Sequence, residues 1–90
     1  MYTLTIGESQ FISQIGDGAL MLAQERTGVR LGQCSETAKA KVFSLINAAA
    51  EAATAAYQAG PSAAASWKKD FSEAKLADSI AEILREGTHE

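Results

Sequence analysis

Residues 38–59 constrain the fold of this chain more than any other stretch, because they contain neither glycine nor proline. Polar residues recur within them at alternating steps of three and four, which is the period of an α-helix with one solvated stripe. We therefore predict a long helix here, against which the rest of the chain packs. Its polar stripe consists of Ser44, Asn47, Glu51, Thr54 and Gln58.

The remaining surface of this predicted helix divides by side-chain size. One side is a bulky edge that we expect to face the core, and it consists of Val42, Phe43, Ile46 and Tyr57, with Leu45 close by. The other side carries nothing larger than a methyl group. We call it the alanine ridge, and it consists of Ala48, Ala52, Ala55 and Ala59.

Two interpretations of the alanine ridge stay open. In the first, the face is half exposed and alanine is present because it is the best helix former. In the second, the ridge is a close helix–helix contact, either within the chain or with a second copy. Small side chains permit helices to approach closer than the usual distance of about 8–10 Å.

The length of the chain predicts one domain over residues 1–90. The apolar fraction is 47%, but 18 of those 42 residues are alanine, so little side-chain volume is available for a core. A domain this small buries only about 60–65% of its unfolded surface. Contacts with a partner or a second subunit would therefore supplement its stability.

The N-terminal third permits two assignments. We favour a short extended segment at residues 2–6, followed by a helix that Ser9 caps and that runs to Thr27. Gly16 and Gly18 would be weak points of that helix, each costing about 1 kcal/mol relative to alanine. The alternative pairs residues 2–6 with residues 11–15 as a hairpin, before a shorter helix.

The second half of the chain predicts three helices. Ser35 is a candidate N-cap for the central helix, which ends at Gly60 before Pro61 restarts the chain. On one uninterrupted final helix, Trp67 and Phe71 would point away from the later aliphatic residues. A break at residues 70–72 removes this conflict, with Ser72 capping a last helix over residues 73–86.

The predicted fold class is therefore all-α, a small bundle of three to four helices with a short extended N-terminal segment. We expect no catalytic, cofactor-binding or metal-binding residues. The only histidine is His89, next to the C-terminus, and the only cysteine is Cys34, so neither a catalytic pair nor a metal-ligand spacing is present. The carboxylates Asp78, Glu82 and Glu86 recur at spacing four, which is typical of a solvated helix face.

Residues 67–71 carry the strongest binding character in the sequence. They combine the only tryptophan with the only pair of adjacent lysines, and tryptophan is enriched at energetically dominant interface positions. We predict partner binding by Trp67, Lys68, Lys69 and Phe71, together with the alanine ridge. The competing interpretation is that Trp67 and Phe71 cover the bulky edge of the central helix while the lysines face water.

Charge and cysteine content limit the classes of partner and compartment. The net charge is −3, and residues 70–90 carry two basic and six acidic groups, so we expect no nucleic-acid binding. No apolar run has the length of about 18 residues that a membrane span needs, so we expect no membrane partner. A single cysteine and the absence of a signal-peptide pattern favour the cytoplasm.

Three functions remain after these exclusions. We favour a small non-catalytic protein–protein interaction module, an adaptor, inhibitor or chaperone-like protein that binds through a helix face. Its partner would be another protein or a second copy of itself, as in a homodimer. The first alternative is a structural subunit of a larger assembly, such as a viral connector. The second is a small thiol-dependent protein that uses Cys34.

Overall fold

Four α-helices account for most of residues 3–87, which are the residues that the computed structural model describes. A short 3-10 helix (Leu31–Gln33) lies in the first loop, and the described residues contain no strand. The all-α prediction is confirmed. The helices are α1 (Ile6–Thr27), α2 (Glu36–Ala59), α3 (Pro61–Asp70) and α4 (Glu73–Glu86).

Helix α1 begins earlier than the sequence predicted, because Thr5 rather than Ser9 is its N-cap. The Thr5 hydroxyl accepts a hydrogen bond from the Glu8 backbone N–H (3.1 Å), and the Glu8 carboxylate accepts one from the Thr5 N–H (2.8 Å). This reciprocal pair is a capping box. The prediction of one long helix up to Thr27 is confirmed, and the hairpin alternative is wrong because residues 11–15 are helical.

The extended N-terminal segment is shorter than predicted. Residues 3–5 lie outside any helix, and Thr5 has an extended backbone, whereas Ile6 already belongs to α1. Tyr2, the first residue of the predicted segment, lies outside the described residues.

The other helix boundaries agree with the sequence. The Ser35 hydroxyl accepts from the Ala38 N–H at 3.2 Å and the Ser72 hydroxyl accepts from the Lys75 N–H at 3.3 Å, so both serines cap as predicted. Gly60 adopts a φ of 127°, which favours glycine, and Pro61 opens α3 directly after it. The predicted break before the last helix is confirmed.

The core is built from close helix contacts rather than from large side chains. Helix α1 packs along α4 and α2, while α3 packs on α2. Six of the 13 buried hydrophobic residues are alanines, and the largest fully buried side chains are those of Ile80, Leu84 and Val42. The main cluster contains Ala19, Ala23, Cys34, Ala38, Val42, Ala77, Ile80, Ala81 and Leu84, and a second cluster contains Ile12, Ile15, Ala53 and Tyr57.

Most of the predicted bulky edge faces these clusters. Val42 and Tyr57 are buried, and Leu45 and Ile46 are half buried. Phe43 is the exception, because its side chain is 51% exposed. The prediction that Phe43 belongs to the core edge is therefore wrong. Its neighbour Val42 occupies the centre of the buried face, so Phe43, about 100° further around the helix, lies beyond the margin of the contact with α1 and α4.

The two glycines in the middle of α1 occupy different environments. A Cβ added at Gly16 would overlap the Cγ2 atom of Ile46 and would lie 3.2 Å from its Cβ, so the missing side chain permits α1 and α2 to touch. A Cβ at Gly18 would meet only the carboxylate end of the flexible Glu73 side chain. Close helix packing therefore requires glycine at position 16 but not at position 18.

This difference predicts opposite effects on stability for the same substitution. We expect Gly16→Ala to lower the free energy of unfolding by about 1 kcal/mol or more, because overpacking against Ile46 outweighs the gain in helix propensity. We expect Gly18→Ala to raise it by up to about 1 kcal/mol. Urea unfolding followed by circular dichroism measures both, and equal changes in the two variants would contradict the close contact.

Candidate interaction surface

Four aromatic side chains meet where α3 ends. The rings of Trp67 and Phe71 stack with their centroids 4.8 Å apart. Trp67 also meets Tyr57 at 6.1 Å and Phe11 at 6.4 Å, both edge to face, while Phe11 and Tyr57 lie 6.3 Å apart. This arrangement, which we call the aromatic cluster, joins α1, α2, α3 and the α3–α4 junction.

The aromatic cluster shows that two predicted binding residues also have a packing role. Trp67 and Phe71 are half buried and lie against the second core cluster, next to Tyr57. They therefore cover the central helix, as the competing interpretation held, and each keeps part of its surface exposed. Aromatic pairs of this geometry contribute about 0.5–1.5 kcal/mol beyond their buried area, so the cluster holds the short helix α3 in place.

The two lysines between these rings lie at the surface. The Lys68 Nζ atom is 5.4 Å from the centroid of the Phe11 ring, within cation–π range. Both Lys68 and Lys69 are exposed. The structure thus brings Lys68 together with the aromatic cluster.

All four residues of the alanine ridge are exposed. No other helix of the described chain covers them, so the interpretation of the ridge as an intrachain contact is wrong. The ridge and the aromatic cluster are separate surfaces, because no ridge residue contributes to the second core cluster on which Trp67 and Phe71 pack. A half-exposed helix face and a contact with another molecule remain the two interpretations.

A groove between α2 and α4 adjoins the ridge. It is a shallow, open groove with a volume of about 500 Å³, and its apolar part is formed by Leu45 and Ile83, both half buried. Leu45 lies about one turn before Ala48 on α2, so the groove and the ridge follow each other along the same helix. The rest of the lining consists of Thr37, Ala40, Lys41 and Ser44.

A second groove, which we call the α1 groove, lies between α1 and the start of α4, and sequence reasoning missed it. It is open to solvent and has a volume of about 570 Å³. Its residues come from parts of the chain far apart in sequence, so no local pattern marks it. The only available signal was the unexplained glycine at position 18. Its lining consists of Phe11, Gln14, Ile15, Asp17, Gly18, Phe71 and Glu73.

The cysteine lies in the protein interior. Cys34 belongs to the main core cluster and is 7% exposed. Its Sγ atom lies 3.7 Å from the Arg30 carbonyl oxygen and 4.0 Å from that of Leu84. A thiolate nucleophile needs an accessible, electropositive setting. This position is that of a packed apolar side chain, whereas His89 lies outside the described residues.

Charged side chains lie at the surface throughout the described residues, where no buried polar or charged side chain occurs. Arg26 pairs with Asp78, one of the predicted acidic stripe, and Lys39 pairs with Glu36 at 3.3 Å. Within residues 3–87, no group of three or more His, Cys, Asp or Glu side chains is placed to hold a metal ion. No helix in the same part of the chain has both the length and the apolar character to cross a membrane.

The aromatic cluster predicts a large stability cost for losing its central ring. We expect Trp67→Ala to lower the free energy of unfolding by about 2–3 kcal/mol, less than the 3–5 kcal/mol of a fully buried tryptophan. The neighbouring exposed substitution Lys69→Ala should change it by no more than about 0.5 kcal/mol. Urea titrations read by circular dichroism compare the two. Equal midpoints would mean that Trp67 does not hold α3 against the bundle.

Comparison of the chain with protein-family models, with curated proteins and with solved structures found no match. No function therefore transfers from a relative. The exposed ridge, the two grooves and the aromatic cluster are the features on which a functional inference rests.

Proposed function

We propose that this chain is a small non-catalytic protein–protein interaction module that receives a helix of its partner on the exposed face of α2. The observation that carries this proposal is the exposure of the whole alanine ridge. From Ala48 to Ala59 the ridge extends about 16 Å along α2. Along that length, backbone atoms of a partner helix can come closer than larger side chains would allow.

The energetics of such a contact favour association on this face. Alanine loses no side-chain conformational entropy when it is buried, so ordering the ridge costs little. Leu45 and Ile83, in the groove at one end, add larger apolar side chains that are only half buried in the chain itself. Burial of that area supplies about 25 cal/mol per Å² of apolar surface removed from water.

The class of partner follows from charge and shape. We propose that the partner is another protein or a second copy of this chain, the latter forming a homodimer in the cytoplasm. The ridge itself carries no charged residue, and the net charge of −3 supplies no basic surface for nucleic acid. An uncharged helical face suits a helix packed side by side, and membrane association is not part of this proposal.

A structural subunit of a larger assembly is the second candidate. The observation that favours it is the exposure of large apolar side chains on two helices, with Ile6 80%, Met21 60% and Phe43 51% exposed. A subunit that contacts several neighbours would cover more than one such face. The thiol-dependent alternative has less support, because Cys34 is packed in the main core cluster.

We expect the purified chain to be a dimer that Ala52→Leu weakens at least tenfold, because a longer side chain keeps the two α2 helices apart. The matched control is Ala65→Leu, an exposed alanine in α3, and Glu51→Ala is a second control on α2. Sedimentation equilibrium measures the mass and the dissociation constant of each variant.

Each other outcome has a defined meaning. If the chain is monomeric, the partner that binds the ridge is a different protein. The same three variants are then compared for binding to that protein. A high-order assembly favours the structural subunit. If the native chain is a dimer, equal dissociation constants for Ala52→Leu and Ala65→Leu would contradict the ridge as a contact surface.

A further inference from the structure

The α1 groove is an open cleft with a volume typical of ligand sites. Its volume of about 570 Å³ lies within the range of about 300–1,000 Å³ for small-ligand sites. Its apolar lining comes from Phe11, Ile15 and Phe71, and Asp17 and Glu73 add two carboxylates. An apolar surface beside a few polar groups is the usual composition of a site that recognises an amphipathic group.

Gly18 positions one of the two carboxylates that line this groove. A glycine in a helix interior costs about 1 kcal/mol relative to alanine. At Gly16 the contact with Ile46 accounts for that cost, but at Gly18 only the end of the Glu73 side chain lies within reach of an added Cβ. The absent side chain therefore leaves room for the Glu73 carboxylate beside α1, in the groove that Gly18 lines.

The charges around the groove are separated along α1. Asp17 and Glu73 lie at the Gly18 end, and neither carboxylate takes part in an ion pair or a hydrogen bond with another residue of the described chain. Lys68 lies at the opposite end, above the Phe11 ring. Phe11 and Gly18 are seven residues apart, which is about 10 Å along the helix. A positive group is thus favoured at the Asp17 end alone.

We infer that the α1 groove binds a segment of a partner protein that carries an arginine or lysine beside a large apolar side chain. The cation would pair with Asp17 and Glu73, because charge-assisted hydrogen bonds to carboxylates are the stronger class. The apolar side chain would lie on the Phe11 and Phe71 rings. This inference rests on the proposed function and gives the interaction module a second, chemically defined contact.

The test selects binders from a phage library of random 12-residue peptides on the immobilised chain of residues 1–90. We expect enriched peptides to place Arg or Lys within four positions of an aromatic or large aliphatic residue. Fluorescence polarisation of a labelled selected peptide should show at least tenfold weaker binding to Gly18→Leu, which fills the groove, and to Asp17→Lys. The matched control Glu25→Lys makes an acid-to-lysine change elsewhere on α1, and its affinity should equal that of the native chain.

Two measurements separate loss of the site from loss of the fold. Thermal unfolding of Gly18→Leu should occur at or above the native midpoint, because leucine has the higher helix propensity and the exposed, flexible Glu73 side chain can move away from it. The near-isosteric Asp17→Asn should weaken the peptide less than Asp17→Lys, since it removes one charge without introducing the opposite one. Affinity lost to the same extent in Glu25→Lys would show a general effect of net charge and overturn the inference.

The remaining outcomes also decide the inference. A selection that enriches no peptide, or only peptides without a basic residue, overturns it, as does full binding to Gly18→Leu. If Gly18→Leu dissociates a dimer, a second copy of the chain binds in the α1 groove, and the inference of a separate partner protein is wrong. Peptides that lose affinity for Ala52→Leu but not for Gly18→Leu would overturn the α1 groove and leave the proposed function of the α2 face intact.

Discussion

The close approach of α1 to α2 at Gly16 is the constraint on which the rest of the structure depends. Ile46 occupies the space that a side chain at position 16 would fill. The Ile46 side chain of α2 therefore packs directly against the α1 backbone at Gly16. A similar approach occurs where the last described residue, Gly87, lies against Ala38 and its carbonyl accepts the Ser35 N–H at 3.1 Å. Small residues thus permit close contacts both in the middle of α1 and where α4 ends.

A core built largely from small residues has little volume, and this explains why some large apolar side chains remain at the surface. With six alanines among the buried hydrophobic residues, three helices can meet around one narrow seam, but they cannot enclose every apolar side chain. The aromatic cluster supplies the large apolar side chains that are rare elsewhere in the core, and it packs α3 against α1 and α2. The face of α2 that no helix covers then forms the ridge, and the space between α1 and the start of α4 forms the α1 groove. These are the two surfaces proposed for partners.

Local patterns predicted the fold because local interactions determine where helices begin and end. The residues that begin or end a helix contact only neighbours within one helical turn, so their effect can be recognised from a short stretch of sequence. Examples are Ser35, Ser72 and the Gly60–Pro61 pair. The capping box of Thr5 is also local, but serine and threonine are both favoured N-cap residues, so residue type does not separate Thr5 from Ser9. The site was less predictable, since the exposure of a face depends on where other helices pack.

The sequence by itself determined the helical class, a count of three to four helices, the break after α3 and the alanine face of α2. Periodicity, capping residues and glycine positions encode these features within a few residues. Only the tertiary structure decided that Phe43 is exposed, that Trp67 packs against Phe11, and that Gly18 borders a groove. Each of these depends on contacts between residues far apart in the chain, and such contacts follow from how whole helices share a small core.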